Sequence, residues 1–267
     1  MNANVPTWQR RSLWVAIALP ALAATVWATE GWAKTGDYRP ADQTVEMFEA
    51  IDSGEIAVQL IPKDSTQCRV LIKNKTDKPL NVKLPEAFAG VPALAAVAGA
   101  GAGSASTSGK GTTQTMGGGM GGMGGGMGGG MGGGMGMFNV PPEQVGQLKI
   151  ATVCLEHGKA EPRAAIPYDI KPLQSVTAKP GVRELCEILG GGRINQRAAQ
   201  AAAWHLNNGM SWQELAAKRL RFANGTSQPY FSPRELQTGM TIAAAATQLA
   251  EQRRQQNAGA GGSIGQK

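Results

Sequence analysis

A run of methionines spaced by glycines, MGGGMGGMGGGMGGGMGGGMGM over residues 116–137, constrains this chain more than any other stretch. Ordering a glycine costs more backbone entropy than ordering any other residue, and glycine brings no side chain to offset that cost. The run therefore reads as a mobile loop that separates or interrupts folded parts. Upstream, residues 92–115 grade from alanine-rich to Gly/Ser/Thr-rich, which extends the expected insert to about residues 93–137. Alternating apolar patterns lie on both sides of it.

The chain has 267 residues and 42% hydrophobic content, enough for one or two small cores once the insert and termini are set aside. Residues 1–33 have the layout of an export signal. Arg10 and Arg11 close a basic region, residues 13–26 (LWVAIALPALAATV) form a short apolar run, and small residues offer cleavage after Ala28 or Ala33. The expected location is periplasmic or secreted, with no membrane span left after cleavage. Arg10-Arg11-Ser12-Leu13 resembles a twin-arginine export motif, leaving both general and twin-arginine export open. The formal charge is +7, with its basic residues scattered, so charge does not point to nucleic acid. Cys68, Cys154 and Cys186 would meet an oxidising setting; one disulfide plus one free thiol is the simplest arithmetic, against three buried free thiols.

Residues 42–51 carry Val45, Phe48 and Ile51 in helical rhythm, and Gly54 ends that helix. The period then changes to two. Ile56, Val58 and Leu60, then Cys68, Val70 and Ile72, then Leu80, Val82 and Leu84 predict three successive antiparallel strands, separated by polar turns at 63–65 and 74–78. Beyond the insert, Leu148, Ile150, Thr152 and Cys154 mark a fourth strand. Ile166, Tyr168 and Ile170 mark a fifth, where Pro167 argues for an edge. Neither half has strands enough to close a core alone. The prediction is one α+β unit: an immunoglobulin-like antiparallel sandwich over residues 55–178, interrupted by the insert.

From residue 180 the chain reads as a helical subdomain reaching about residue 257. A helix over 182–189 stops at three glycines, Asn195 caps a second, Gly209 ends it, and Ser211 with Glu214 forms a capping box for a third running to Phe222. Ser232 and Glu235 repeat the device, with Pro233 at the first helical position of a long helix that frays near Gln256. Residues 258–267 read as a disordered tail. The leader (1–28) and the segment 29–54 complete the domain map.

Methionine thioethers are soft ligands for Cu(I), and Met116, Met120, Met123, Met127, Met131 and Met135 could supply sulfurs. A spacer is preferred, since each chelate must close through glycine; the repeat resembles the glycine/methionine tails of bacterial chaperonins. Cys154, His157, Cys186 and His205 hold zinc-type donor atoms; the first pair has C-x-x-H spacing and the second no recognisable ligand spacing, and Cys154 with His157 makes a poor nucleophilic pair because strand residues three apart face opposite ways. Residues 198–220 have a helix-turn-helix outline, read as a packed hairpin. Tyr230, Phe231 and Trp212, if exposed together, would be the first place to seek a partner.

The segment VCLEHGK followed by the helix AAQAAAWHLNNG resembles the thioester domains of bacterial surface adhesins. That resemblance implies an internal thioester between Cys154 and Gln200. Over nearly the whole mature length, the chain is similar to uncharacterised secreted bacterial proteins that pair an NKTDKPLNV-type segment with CLEHGK and AAWHLNNGMSWQEL; this implies a shared architecture and no particular activity. Together these features predict a non-enzymatic binding or structural module of the envelope, without a cofactor, whose partner is an envelope or extracellular protein or polymer. Cu(I) binding through the Met-rich insert and thioester-type adhesion through Cys154 and Gln200 are the alternatives.

Overall fold

The computed structural model describes residues 38–93, 113–121 and 136–262, with side chains through residue 258. The leader with Arg10 and Arg11, the alanine-rich stretch 94–112, Met123, Met127, Met131, Met135 and the last five residues lie outside the described residues.

The α+β reading holds, and pairing places most strands in a closed six-stranded barrel in place of the expected sandwich. β2 (Ile56–Pro62) and β3 (Gln67–Asn74) form a hairpin, with Ile56 opposite Asn74 and Pro62 opposite Cys68. Its turn is fixed by Asp64, whose carboxylate accepts from the amides of Thr66 and Gln67. β3 pairs with β8 (Val145–Cys154) across the expected insert, from Lys73 opposite Val145 to Gln67 opposite Ala151. Past that point β8 changes partner to β6 (Met116–Gly118), with Met116 opposite Cys154. β6 pairs with β5 (Phe88–Pro92), β5 with β9 (Tyr168–Pro172), and the Leu60–Tyr168 pair joins β9 back to β2.

The barrel interior is filled by Leu60, Cys68, Val70, Ile72, Phe88, Met116, Ile150 and Tyr168. The same apolar cluster continues through Leu80, Val82, Phe138 and Val140 into a second sheet. There β4 (Leu80–Lys83) lies between β1 (Gln43–Glu46) and β7 (Met137–Val140), parallel to the first and antiparallel to the second. The third predicted strand thus leaves its neighbours for a different sheet. α1 (Met47–Asp52) is shorter than the predicted 42–51 helix because the Glu46 side chain accepts from the amides of Phe48 and Glu49 and starts it there. The edge position predicted from Pro167 is also corrected. Pro167 precedes β9, which has neighbours on both sides.

Two helices, α2 (Val182–Gly190) and α3 (Gln196–Asn208), lie on one outer face of the barrel, and α4 (Trp212–Ala217) and α5 (Pro233–Gly262) join them from the far side, α5 packing on both. Their cluster includes Leu185, Cys186, Ala199, Ala202 and Ala246, packed against Ala89, Val153 and Leu155 on the outside of the strands. The predicted caps are present: Asn195 accepts from the Ala198 amide, Gly209 is left-handed, and Ser211 and Glu214 close a capping box. α4 stops at Ala217, well before Phe222, because β10 (Arg219–Arg221) turns back onto β11 (Ser227–Pro229). α5 runs past the expected start of the tail, to Gly262.

The expected insert over 93–137 is the main correction. Its described ends belong to the core: β6 is a barrel strand, Met116 and Met120 are fully buried, and β7 begins at Met137. Glycine is required here by proximity. A Cβ on Gly119 would collide with the carbonyl oxygen of Cys186, and one on Gly190 would sit 2.6 Å from the Gly119 backbone. The tract and α2 thus touch main chain to main chain.

Met116→Ala and Met120→Ala are each expected to lower unfolding stability by about 2–5 kcal/mol, the usual cost of emptying a core site. Gly119→Ala should cost about 1–3 kcal/mol through overpacking. Denaturant melts measure all three; wild-type midpoints would show that these residues are not packed as described.

Candidate functional site

The barrel and helices are joined where β8 leaves β3. From Thr152 onward, one side of β8 has no long strand beside it, and its polar groups need partners. α3 supplies them. Gln196 Nε2 donates to the Thr152 carbonyl at 2.8 Å; Gln200 Oε1 accepts from the Cys154 amide at 2.8 Å while its Nε2 donates to the Cys154 carbonyl at 2.9 Å. Asn207 Nδ2 donates to the Leu155 carbonyl, and Asn208 Oδ1 accepts from the His157 amide at 3.3 Å. Gln196, Gln200 and Asn207 fall on one stripe at helical spacing, so a single face carries the set.

The structure therefore brings Cys154 and Gln200 together, through the backbone of the cysteine. Both polar ends of the carboxamide are committed to that main chain. Burial first, then the charges of Glu161, Asp64 and Glu156, push the Cys154 thiol up to about 12. A protonated sulfur is a poor nucleophile. Burial likewise raises Cys68 and Cys186 to about 12. The expected single disulfide is not formed: all three thiols are free and buried, Cys68 within the barrel cluster and Cys186 in the helical one.

Beyond β8 the loop residues diverge. Glu156 accepts from the Thr115 amide at 2.9 Å and pairs with Lys159. Burial alone would raise its pKa, but the hydrogen bonds from Lys159 and Thr115 hold the carboxyl below its ordinary value. It borders an open cleft of about 560 Å³, with Thr115, Thr177, Lys179 and Asn207 among the other walls.

His157 turns the other way, toward the helices. Its Nε2 lies 2.9 Å from Lys218 Nζ, and its ring meets Trp204 edge-on at 4.8 Å. Lys218 Nζ is 5.1 Å from the ring centres of both Trp204 and Tyr230. Two nitrogens at this distance require one lone pair, so the ammonium donates to a neutral imidazole. Burial, followed by the Lys218 charge, lowers the His157 pKa, with Glu214 opposing. Burial also lowers that of Lys218, with Glu161 opposing. On the same aromatic group, Arg197 lies 5.1 Å from the Tyr230 ring centre and pairs with Glu235.

The anticipated trio of exposed aromatics is corrected. Phe231 is only 2% exposed and Tyr230 half-buried, and the two meet Trp204 at 5.8 and 5.4 Å. Trp212 is half-buried as well, stacked on His205 at 4.5 Å and packed against the cluster that holds Trp204 and Phe231. The zinc-type atoms are not gathered either. His205 Nδ1 contacts the Met210 carbonyl, His157 faces Lys218, and no three His, Cys, Asp or Glu side chains converge among the described residues. Of the candidate methionines, Met116 and Met120 are core residues. Sequence reasoning missed Trp204, Lys218, Glu156 and Asn207. Glu156 lies in the CLEHGK segment and Trp204 and Asn207 in WHLNN, both quoted above only for a resemblance, and Lys218 lies in neither.

Gln200→Ala is expected to cost about 1–3 kcal/mol for each Cys154 backbone group left unpaired, read by denaturant melts. A second expectation concerns pH. Because the folded His157 pKa lies below the ordinary 6.5, the folded state binds fewer protons than the unfolded state between those values. Stability is then full above pH 6.5 and declines as pH falls toward the depressed value; His157→Gln should flatten that slope in melts between pH 7 and 5. Lowered carboxylates such as Asp64 and Glu156 act in a more acid range. No family model, curated protein or solved structure matches this chain.

Proposed function

We propose that the chain is an exported, non-enzymatic binding or structural module of the cell envelope, in which a rigid barrel-and-helix body anchors both ends of the Gly/Met segment 122–135. The observation that carries this reading is where those ends lie. Met120 is fully buried, Leu84 donates from its amide to the Gly136 carbonyl at 2.7 Å, and a Cβ on Gly136 would sit 3.6 Å from Gly121 Cα. Departure and return thus share one place on the body, beside Glu86, which lies 3.3 Å from a Cβ placed on Gly121. Such anchoring separates fold from recognition, since the described strands close the barrel among themselves.

The packing of the body supports the same reading. The barrel interior is occupied by apolar side chains, and the carboxamides of α3 are spent on the β8 backbone. Recognition then falls to surfaces and to the anchored segment. The partner class proposed is an envelope or extracellular protein or polymer.

Two baits test this: the mature chain, and a version with residues 122–135 replaced by a two-glycine bridge. Loop shortening alone should change stability by less than about 2 kcal/mol. Capture of a specific envelope component by the first bait and its loss with the second is the expected result. Equal capture by both would refute a role for the segment.

A further inference from the structure

Most partly buried cations on this surface have carboxylate partners. Arg183 pairs with Glu86 and Glu187, Arg253 with Glu184 and Glu187, and Arg197 with Glu235. Lys218 differs. It is half-buried, and among the described residues no carboxylate lies within ion-pair distance of its ammonium, which rests on a histidine lone pair and two aromatic faces. Glu161 and Glu214 act on this pair from longer range, and Arg197 adds a second positive group on the Tyr230 ring.

The surrounding polar groups are also unbalanced toward donors. Trp204 is 4% exposed, and its buried Nε1–H has no acceptor among the described residues. A buried donor without a partner and an ammonium partly withdrawn from water both gain from an incoming oxygen that carries negative charge. We propose that Lys218, with His157 and the rings of Trp204 and Tyr230, forms a binding site for an oxyanion, the carboxylate or phosphate group of a ligand. The oxyanion accepts from the free N–H groups of Lys218 while the aliphatic part of the ligand lies on the Tyr230 ring. Its charge offsets that of the ammonium facing His157, so binding makes the imidazole easier to protonate.

Histidine ring NMR on the intact chain reads this directly, with sodium acetate and sodium phosphate as separate probes at ionic strength held constant by sodium chloride. A saturable rise of the His157 titration midpoint by about one pH unit is expected with at least one probe. The probe that saturates at lower concentration identifies the carboxylate or the phosphate source. Lys218→Met should abolish the rise. An equal rise with chloride alone, no rise with either probe, or a rise that survives Lys218→Met overturns the site. Should that variant not fold, Lys218→Arg decides: it keeps the charge and must keep the rise.

Discussion

The row of carboxamides that α3 lays along β8 is the contact on which the remainder of the molecule depends. β8 serves two sheet neighbours in succession, and the change of partner exposes main-chain groups that no further strand reaches. Gln196, Gln200 and Asn207 act there as a substitute strand made of side chains. A helix so tied cannot slide or rotate without breaking several buried hydrogen bonds at once. Its position in turn fixes α2 and α5 around Ala199, Ala202 and Ala246, and places Trp204 under the loop that carries Glu156 and His157. Alanine on the packed face lets helix and sheet approach closely, so the long carboxamides can reach the strand.

Glycine has a use in the Gly/Met tract that composition alone does not suggest. Where the tract enters the barrel, glycine gives way to neighbouring main chain: α2 lies so near that no Cβ fits at Gly119 or Gly190. In the same few residues methionine fills the interior, its unbranched thioether adapting to the space beside Phe88 and Ile150. Within its described part, a sequence that looks uniform is thus made barrel strand at Met116–Gly118 and core filling at Met120 by its surroundings.

What could be read from the residues follows from how local each signal is. β2, β3 and β8 were legible because one face of each strand is apolar and the other polar, and the helices because Asn195, Gly209, Ser211 and Ser232 announce their ends. β5 was not: Phe88 points into the barrel while Ala87 and Ala89 meet the helices, so no alternation survives. β6 has strand character only through its neighbours. The closure of a barrel in place of a sandwich depends on β4 leaving for a second sheet, a choice made by pairing with β1 and β7. At the site, Cys154 and Gln200 were linked by resemblance, yet the bond between them is one of backbone satisfaction. The meeting of His157 with Lys218 spans 61 residues and leaves no trace in local pattern.

The three buried thiols also bear on how the chain must reach its final state. Once folded, each sulfur is sealed from the others by packing. Before folding, all three are free to encounter one another, and in an oxidising compartment a Cys68–Cys186 bridge would tie together parts that belong to different clusters. If the chain is exported as proposed, folding must outrun oxidation or be finished before an oxidant is met. Under the export proposed above, the order of assembly and translocation becomes a chemical question, decided by sulfur.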